Sequence, residues 1–311
     1  MKIIITGCSG QIGNALLTRL FETNFGAEIY GIDIQPPKYL ELKHKSMLNY
    51  IQADLKSTKQ ISSIEAHVKT ADHVIHLASS IENSRDISSI SNLIKADVEP
   101  TIKLISLMKE NANFIYASSM MIYGQPCDFP IVEEHPKNPE NIYGICKLYT
   151  ELALDDLRAI HLGNITSLRL SGIYGTGKYS GDSKNRAIPT FIRRLKTGLP
   201  PIISSHPYEK RDYLFIDDAV SAIICSIINP YNGSLNIGSA SSISISSLAE
   251  ILCSIVDENL NPEHQYDINF RANDEMPIDY LLDITKAQRH IAYSPKVNIF
   301  DGLKIEVDRY E

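Results

Sequence analysis

The sequence predicts an α/β fold: a doubly wound parallel sheet with a smaller, discontinuous α/β lobe. Three observations carry that reading. Short apolar runs of strand length alternate with longer stretches of helical spacing, glycines pace the turn after the first run, and the alternation loosens from Ser171 onward. Strand–helix alternation implies right-handed crossovers and a parallel sheet covered on both faces.

Taken in order, "KIIIT" reads as a buried strand and "QIGNALLTRLFE" as a helix with Ile12, Leu16, Leu17 and Leu20 on one stripe. "EIYGID" is the second strand, followed by a loop at "QPPK". "YIQADL" is the third and "HVIHLA" the fourth, with helical "SSIEAHV" between them. A longer helix is predicted from about Ile90 to Lys109, with Pro100 as a point for a kink. "NFIYASS" gives a fifth strand, "YGICKLYTELALDDLRAI" a long helix and "ITSLRL" a sixth strand. Beyond Ser171, "GIYGTGKYSGDSKN" is loop chemistry, "IPTFIRRLKTG" a helix and "PPIIS" a short strand. "RDYLFIDDAVSAIICSII" reads as a strand tip entering a helix, and "SLNIGS" as another buried strand. Ser244 is placed to cap the helix at "SSLAEILCSIV". The tail from Asn261 mixes short strand-like and helix-like pieces.

Composition narrows the function. The chain has 311 residues, 43% of them hydrophobic and 22% charged, which is enough apolar material for a sizeable core. Its net charge is -7, and no basic block exceeds Arg193–Arg194, which argues against a nucleic-acid surface. Apolar runs such as "AIICSII" fall well short of the ~20 residues that span a bilayer. The N-terminus carries one Lys and a three-residue apolar run before the glycines, unlike a signal peptide. Five scattered cysteines without a C-x-x-C fit free thiols in a reducing cytosol, so a cytoplasmic location is expected. The nine histidines are dispersed, and His73 and His76 on one strand would point to opposite faces, so no metal site is expected.

"TGCSGQIG" sets Gly7, Gly10 and Gly13 at every third position between a strand and a helix. Asn14 after Gly13 excludes a P-loop, which needs Lys there. Glycines in this place permit a tight turn, let backbone N–H groups approach a pyrophosphate and allow close helix–strand packing. The helix N-terminus supplies positive potential without Lys or Arg. Asp33 lies at the end of the second strand, where a carboxylate takes the hydroxyls of an adenosine ribose. It would repel a 2′-phosphate, and "IQPPK" offers no neighbouring Arg, so NAD is favoured over NADP. These segments divide the chain into a dinucleotide-binding domain over 1–170, with return segments about 212–240, and a substrate lobe of 171–211 and 241–311.

Tyr143 and Lys147 in "YGICK" share one helix face. A phenol is a poor base at neutral pH, but an ammonium beside it stabilises phenolate. Such a Tyr could exchange a proton with a hydroxyl while the carbon exchanges hydride with a nicotinamide. Ser118 and Ser119 end the fifth strand, where open sheets bind ligands, and a hydroxyl there can hold the reacting oxygen.

Together these segments resemble an extended short-chain dehydrogenase/reductase of the nucleotide-sugar epimerase/dehydratase family, with its Rossmann-like sheet. The resemblance covers nearly the whole chain. It rests on TGCSGQIG, Asp33 after "YGI", "ADL" at Ala53–Leu55, "HLAS" at His76–Ser79, "SSMMIYG", "YGICK", "LRLSGIYG", "RDYLFIDDA", "LNIG" and "DITKA". It implies NAD held by Gly7, Gly10, Gln11, Ile12 and Gly13, by Asp33, by Asp54 and Leu55 near adenine, and by Leu77, Ala78 and Ser79. It implies Tyr143 as acid/base, Lys147 on the nicotinamide ribose and Ser119 orienting the substrate oxygen. Arg211 would bind the substrate's diphosphate, a role that suits a guanidinium, and Arg186 would fall near the nucleotide. The implied partner is a nucleotide-diphosphate sugar, with no nucleic acid or membrane, and self-association, if any, as a homodimer.

The chain also departs from the family. Met120 and Met121 stand where 4,6-dehydratases carry Asp-Glu, and thioethers cannot move protons, so dehydration is disfavoured. Gly172 replaces an Asn that contacts the diphosphate in hexose 4-epimerases, Asp97 replaces a usual Asn and Pro100 a usual Gly. The reading preferred from sequence is an NAD-dependent nucleotide-sugar 4-epimerase, because Asp33 favours NAD. The alternatives are an NAD(P)H-dependent reductase of a nucleotide 4-keto-6-deoxy sugar and a non-catalytic NAD-binding regulatory protein. The intact Ser119–Tyr143–Lys147 set argues against the last.

Overall fold

The computed structural model describes residues 1–79, 91–92, 94–175, 186–260, 268–270, 277 and 279–310. Its centre is a seven-stranded parallel sheet. The strands are β1 (Lys2–Thr6), β2 (Glu28–Asp33), β3 (Asn49–Gln52), β4 (His73–His76), β5 (Asn113–Ser119), β6 (Ile165–Leu170) and β11 (Gly233–Ile237). They are ordered β11-β6-β5-β4-β1-β2-β3, so the winding reverses between β1 and β4. At such a reversal the loops leaving two neighbouring strands diverge and open a crevice at their carboxyl ends. Thr6 pairs with Ile32 on one side and His76 on the other, which fixes the register of the three strand ends there.

Alternation within the strands builds two cores. Ile3, Ile5, Ile75, Ile115, Leu168 and Leu235 face α1 (Gln11–Glu22) and α7 (Ile216–Ile228). Ile4, Val74, Phe114, Tyr116 and Ile165 face the other way, onto α3 (Thr58–Val68), α4 (Glu99–Leu107) and α5 (Ile142–Arg158). Burial on both faces explains why these strands read as continuous apolar runs. A four-residue helix, α2 (Leu42–Lys45), precedes β3.

Beyond β6 the chain forms short two-stranded pairings. These join β7 (Gly172–Tyr174) to β10 (Tyr213–Phe215), β9 (Lys210–Arg211) to β12 (Ile243–Ser244), and β8 (Ile202–Ile203) to β13 (Asn269–Phe270). α6 (Ala187–Lys196), α8 (Ile245–Leu260) and α10 (Ile299–Arg309) share a third core with Tyr174 and Phe215, while α9 (Thr285–Ile291) packs on the first. Ser244 caps α8 as predicted: its Oγ accepts from the Ser247 N–H at 3.0 Å.

The structure adjusts several expectations. β3 ends at Gln52 and β4 at His76, so Ala53–Leu55 and Leu77–Ser79 are strand-end loops rather than strand. The single helix expected from Ile90 is a π-helical turn at Ile94–Val98 leading into α4, with Pro100 in the first turn of α4, where its missing N–H costs no hydrogen bond. Ile90 itself, and residues 176–185 of the expected loop, lie outside the described residues. All five cysteines are free. Among the described residues no helix is long and apolar enough to cross a membrane, and no group of three or more His, Cys, Asp or Glu could hold a metal.

Candidate active site

The glycine turn lies at the switch point. Gly7 has φ +68°, and a Cβ there would stand 2.6 Å from the Ala78 backbone nitrogen, so β1 and β4 can approach this closely only at glycine. A Cβ on Gly13 would stand 2.3 Å from the Gly7 carbonyl oxygen. α1 starts at Gly10 with no side-chain cap and no acidic residue in its first turn, so no carboxylate of its own offsets the positive end of its dipole. Asp33 closes this loop from the side, accepting from the Ser9 N–H at 3.0 Å and the Gln35 N–H at 3.3 Å. Asp54 and Leu55 come directly after, because the Ala53 N–H donates to the Asp33 carbonyl at 3.0 Å.

A second line runs from β4 to α5. The Leu77 N–H donates to the Thr6 carbonyl and the Ala78 N–H to Thr6 Oγ1. Ser79 Oγ donates to Asp97 Oδ2 at 2.8 Å, and the same carboxylate oxygen is 3.7 Å from Lys147 Nζ. Lys147 and Asp97 are both buried, at 2% and 1% side-chain exposure. The Lys147 ammonium lies 4.7 Å from the centre of the Tyr116 ring and 5.5 Å from that of Tyr143. Burial works against its charge, but Tyr116, Tyr143 and Asp97 outweigh that cost and raise its pKa.

Tyr143 is placed by the start of α5. Asn141 caps the helix through its Oδ1, which accepts from the Gly144 N–H at 2.8 Å. A Cβ on Gly144 would lie 2.5 Å from the Met121 carbonyl oxygen, so glycine lets α5 press onto the 3₁₀ turn Met120–Tyr123 that succeeds Ser119. Ser119 Oγ accepts from the Met121 N–H at 3.2 Å, whereas Ser118 points inward and donates to Glu151 at 2.5 Å. Ser119, Tyr143 and Lys147 are thus gathered around one carboxyl edge of the sheet. The thioethers of Met120 and Met121 are next in the chain, and neither can donate or accept a proton.

Arg211 stands in β9, ion-paired with Glu209, its guanidinium 4.5 Å above the Tyr280 ring. Tyr280 Oη donates to the Gly124 carbonyl at 2.5 Å, which ties Arg211 to the loop leaving the 3₁₀ turn. Arg186 is the exposed residue just before α6; among the described residues no contact joins it to the others.

Sequence reasoning missed four parts of this arrangement. Two had a signal: Asp97, noticed only as a departure, and Asn141, three residues before Gly144 as a cap should be. Tyr116 and Tyr280 had none, since nothing local marks which tyrosine a distant Lys or Arg will face.

The chain belongs to the NAD dependent epimerase/dehydratase family, whose model it matches over residues 3–238. Among curated relatives it is 29% identical to a dTDP-4-dehydro-6-deoxyglucose reductase of Escherichia coli, over 97% of this chain and 95% of that one. It is 24% identical to a human dTDP-D-glucose 4,6-dehydratase, over 99% and 89%. Among solved structures, a UDP-glucose 4-epimerase from Thermotoga maritima with UDP-glucose superposes at a TM-score of 0.85 and 22% identity, covering 100% and 98%. That likeness speaks to the fold.

The residues present fit the family's cofactor. The tight turn that Gly7 and Gly13 allow between β1, β4 and α1, the uncapped α1 N-terminus and the Asp33 carboxylate form a cradle suited to a dinucleotide.

Proposed function

We propose that the protein oxidises or reduces C4 of a nucleotide-diphosphate sugar, and that its net reaction is reduction of a nucleotide-linked 4-keto-6-deoxy sugar. The observation that carries the C4 chemistry is the buried Lys147 ammonium 5.5 Å from the centre of the Tyr143 ring, on a helix that Gly144 lets press onto the turn following Ser119. Bound NAD supplies the hydride acceptor or donor. The chain's own residues do the rest. Gln11, Ile12 and Gly13 would offer first-turn N–H groups to the pyrophosphate, while Gly7 and Gly10, whose own N–H groups donate to the Ile32 and Gly7 carbonyls, shape the turn. Asp33 would accept from the adenosine ribose, and Asp54 and Leu55 would border the adenine. Leu77, Ala78 and Ser79 line the path toward the nicotinamide end. Tyr143 gives its phenolic proton to the C4 oxygen during reduction and takes it back in the reverse direction. Ser119 Oγ orients that oxygen, and Lys147 holds the nicotinamide ribose and the charge balance.

Arg211, and Arg186 beside the nucleotide, would bind the substrate in the lobe formed by 171–211 and 241–311. Arg211 has five donors, so it can keep Glu209 and still meet a diphosphate. Reduction is preferred over epimerisation because the 29% identical relative, aligned nearly end to end, is a reductase acting on a 4-dehydro-6-deoxy sugar. Met120 and Met121 argue against dehydration. The 4-epimerase reading keeps one observation in its favour: the Asp33 carboxylate, placed to select NAD, the recycled cofactor of an epimerase. Denaturing the purified protein and identifying what it releases tests the choice. A reductase should give little bound dinucleotide and consume NADH with a 4-keto-6-deoxy sugar; firmly held NAD and no NADH consumption would favour the epimerase.

A further inference from the structure

We propose that Asp97 is a positioning residue whose carboxylate, paired with the buried Lys147, offsets the ammonium's pull on the Tyr143 phenol and so biases the site toward reduction. The inference rests on the C4 reading above and adds a direction to it. Asp97 occupies the π-helical turn Ile94–Val98, and its carbonyl accepts from Thr101 Oγ1 at 2.5 Å, which anchors the backbone. Its Oδ2 receives the Ser79 hydroxyl at 2.8 Å and faces Lys147 Nζ at 3.7 Å, both side chains being out of water. A hydroxyl donor and an ammonium converging on one oxygen are the partners of a carboxylate.

Three titratable groups packed at this place, His76, Tyr116 and Cys146, are neutral near pH 7. Burial and the Lys147 charge push the His76 imidazole down to about 3. Burial pushes Tyr116 up to about 12, against the Lys147 charge. Burial likewise raises the Cys146 thiol to about 11. Lys147 faces the Tyr143 ring at 5.5 Å and Asp97 faces Lys147 at 3.7 Å, so Asp97 acts on Tyr143 by way of the Lys147 charge. An unbalanced ammonium stabilises phenolate, which suits a base; a carboxylate beside it cancels much of that field and suits an acid. At the effective dielectric of protein sites, one charge at several ångströms is worth on the order of one to two pH units.

The direction of the effect can be worked out. A phenol must carry its proton to give it to a carbonyl oxygen, so reduction fails once that proton is lost at high pH. D97N keeps the volume of the side chain and its bond from Ser79 but removes the charge. The alkaline limb of reduction should then move to lower pH by about one unit, and oxidation should begin at correspondingly lower pH. The decisive test needs neither NAD nor sugar. The protein is labelled with 13Cζ-tyrosine, the Tyr143 signal is identified by its loss in Y143F, and its pH titration is compared with that of D97N. We expect the midpoint about one unit lower in D97N. An unmoved midpoint, with folding confirmed by circular dichroism, overturns the inference whatever the substrate proves to be. Should D97N not fold, D97S removes the same charge and is held to the same result. A failed C4 assignment would show separately, as absence of turnover on any 4-keto sugar.

Discussion

Asp33 and Tyr143 show how far single residues carry the account. Asp33 already accepts two backbone N–H groups, which orient its carboxylate at the rim of the glycine turn before any ligand arrives. Asp33→Ala should weaken NAD by roughly ten- to a hundredfold, the loss of a charge-assisted pair of bonds, while NADP is weakened less or gains. Titrating both dinucleotides by fluorescence or calorimetry checks this. Tyr143→Phe deletes the mobile proton and leaves packing nearly intact, so turnover should fall by roughly 10²–10⁴-fold with little change in melting temperature. Both residues stand out in the sequence as candidates because their spacing from a glycine turn or a lysine is local. Asp97 was visible only as an oddity, because its meaning depends on Lys147, which reaches it from a different element.

The elements that hold these residues depend on contacts no local pattern reveals. β1, β2, β5 and β6 were legible to the residue as apolar runs, whereas β3, half-exposed, and β4 end two or three residues earlier than the apolar pattern suggested. What fixes α5 between them is a buried polar network: Arg169 meets both oxygens of Glu151 (2.7 Å for the shortest contact), donates to Tyr123 Oη, and Tyr123 donates to Asn236 Oδ1. Its members come from segments far apart in sequence, so it could not be read in advance. Glu151 lies one turn beyond Lys147 and also receives Ser118, so the network sets the depth of the helix that carries Tyr143 and Lys147. Glu151→Ala leaves the Arg169 charge buried and unpaired, and should cost roughly 3–5 kcal/mol in urea or thermal unfolding. Gly144→Ala puts a methyl 2.5 Å from the Met121 carbonyl, so α5 must retreat from the Ser119 turn. Its turnover should drop even where the protein stays folded at assay temperature.

At the scale of the whole molecule, the segment "RDYLFIDDA" ties the central sheet to the C-terminal third of the chain. Asp212 is fully buried, accepts from Ser171, from the N–H and hydroxyl of Ser239 and from the Leu282 N–H, and burial raises its pKa. Asp218 accepts from the Lys296 and Val297 N–H groups at 2.9 and 3.0 Å and so pins the approach to α10. These two carboxylates, read from sequence only as part of a motif, turn out to clamp chain segments to one another. Arg211, beside Asp212 and tied to the loop at Gly124, is the residue proposed to bind the diphosphate. Arg211→Ala should weaken a nucleotide diphosphate or its sugar by about one to two orders of magnitude and leave NAD affinity unchanged. Calorimetry with UDP, dTDP and GDP would read both effects and the base preference together.

The central claim is reduction at C4 with Tyr143 as proton donor. The most direct measurement incubates the protein with deuterium-labelled NADH and a panel of dTDP-, UDP- and GDP-linked 4-keto-6-deoxyhexoses, and monitors the products by NMR. The account predicts one NADH consumed per sugar reduced, deuterium at C4 of the product, and loss of both in Tyr143→Phe. It would be contradicted by a protein that interconverts 4-hydroxy sugars with no net NADH consumed, or that leaves every 4-keto sugar untouched.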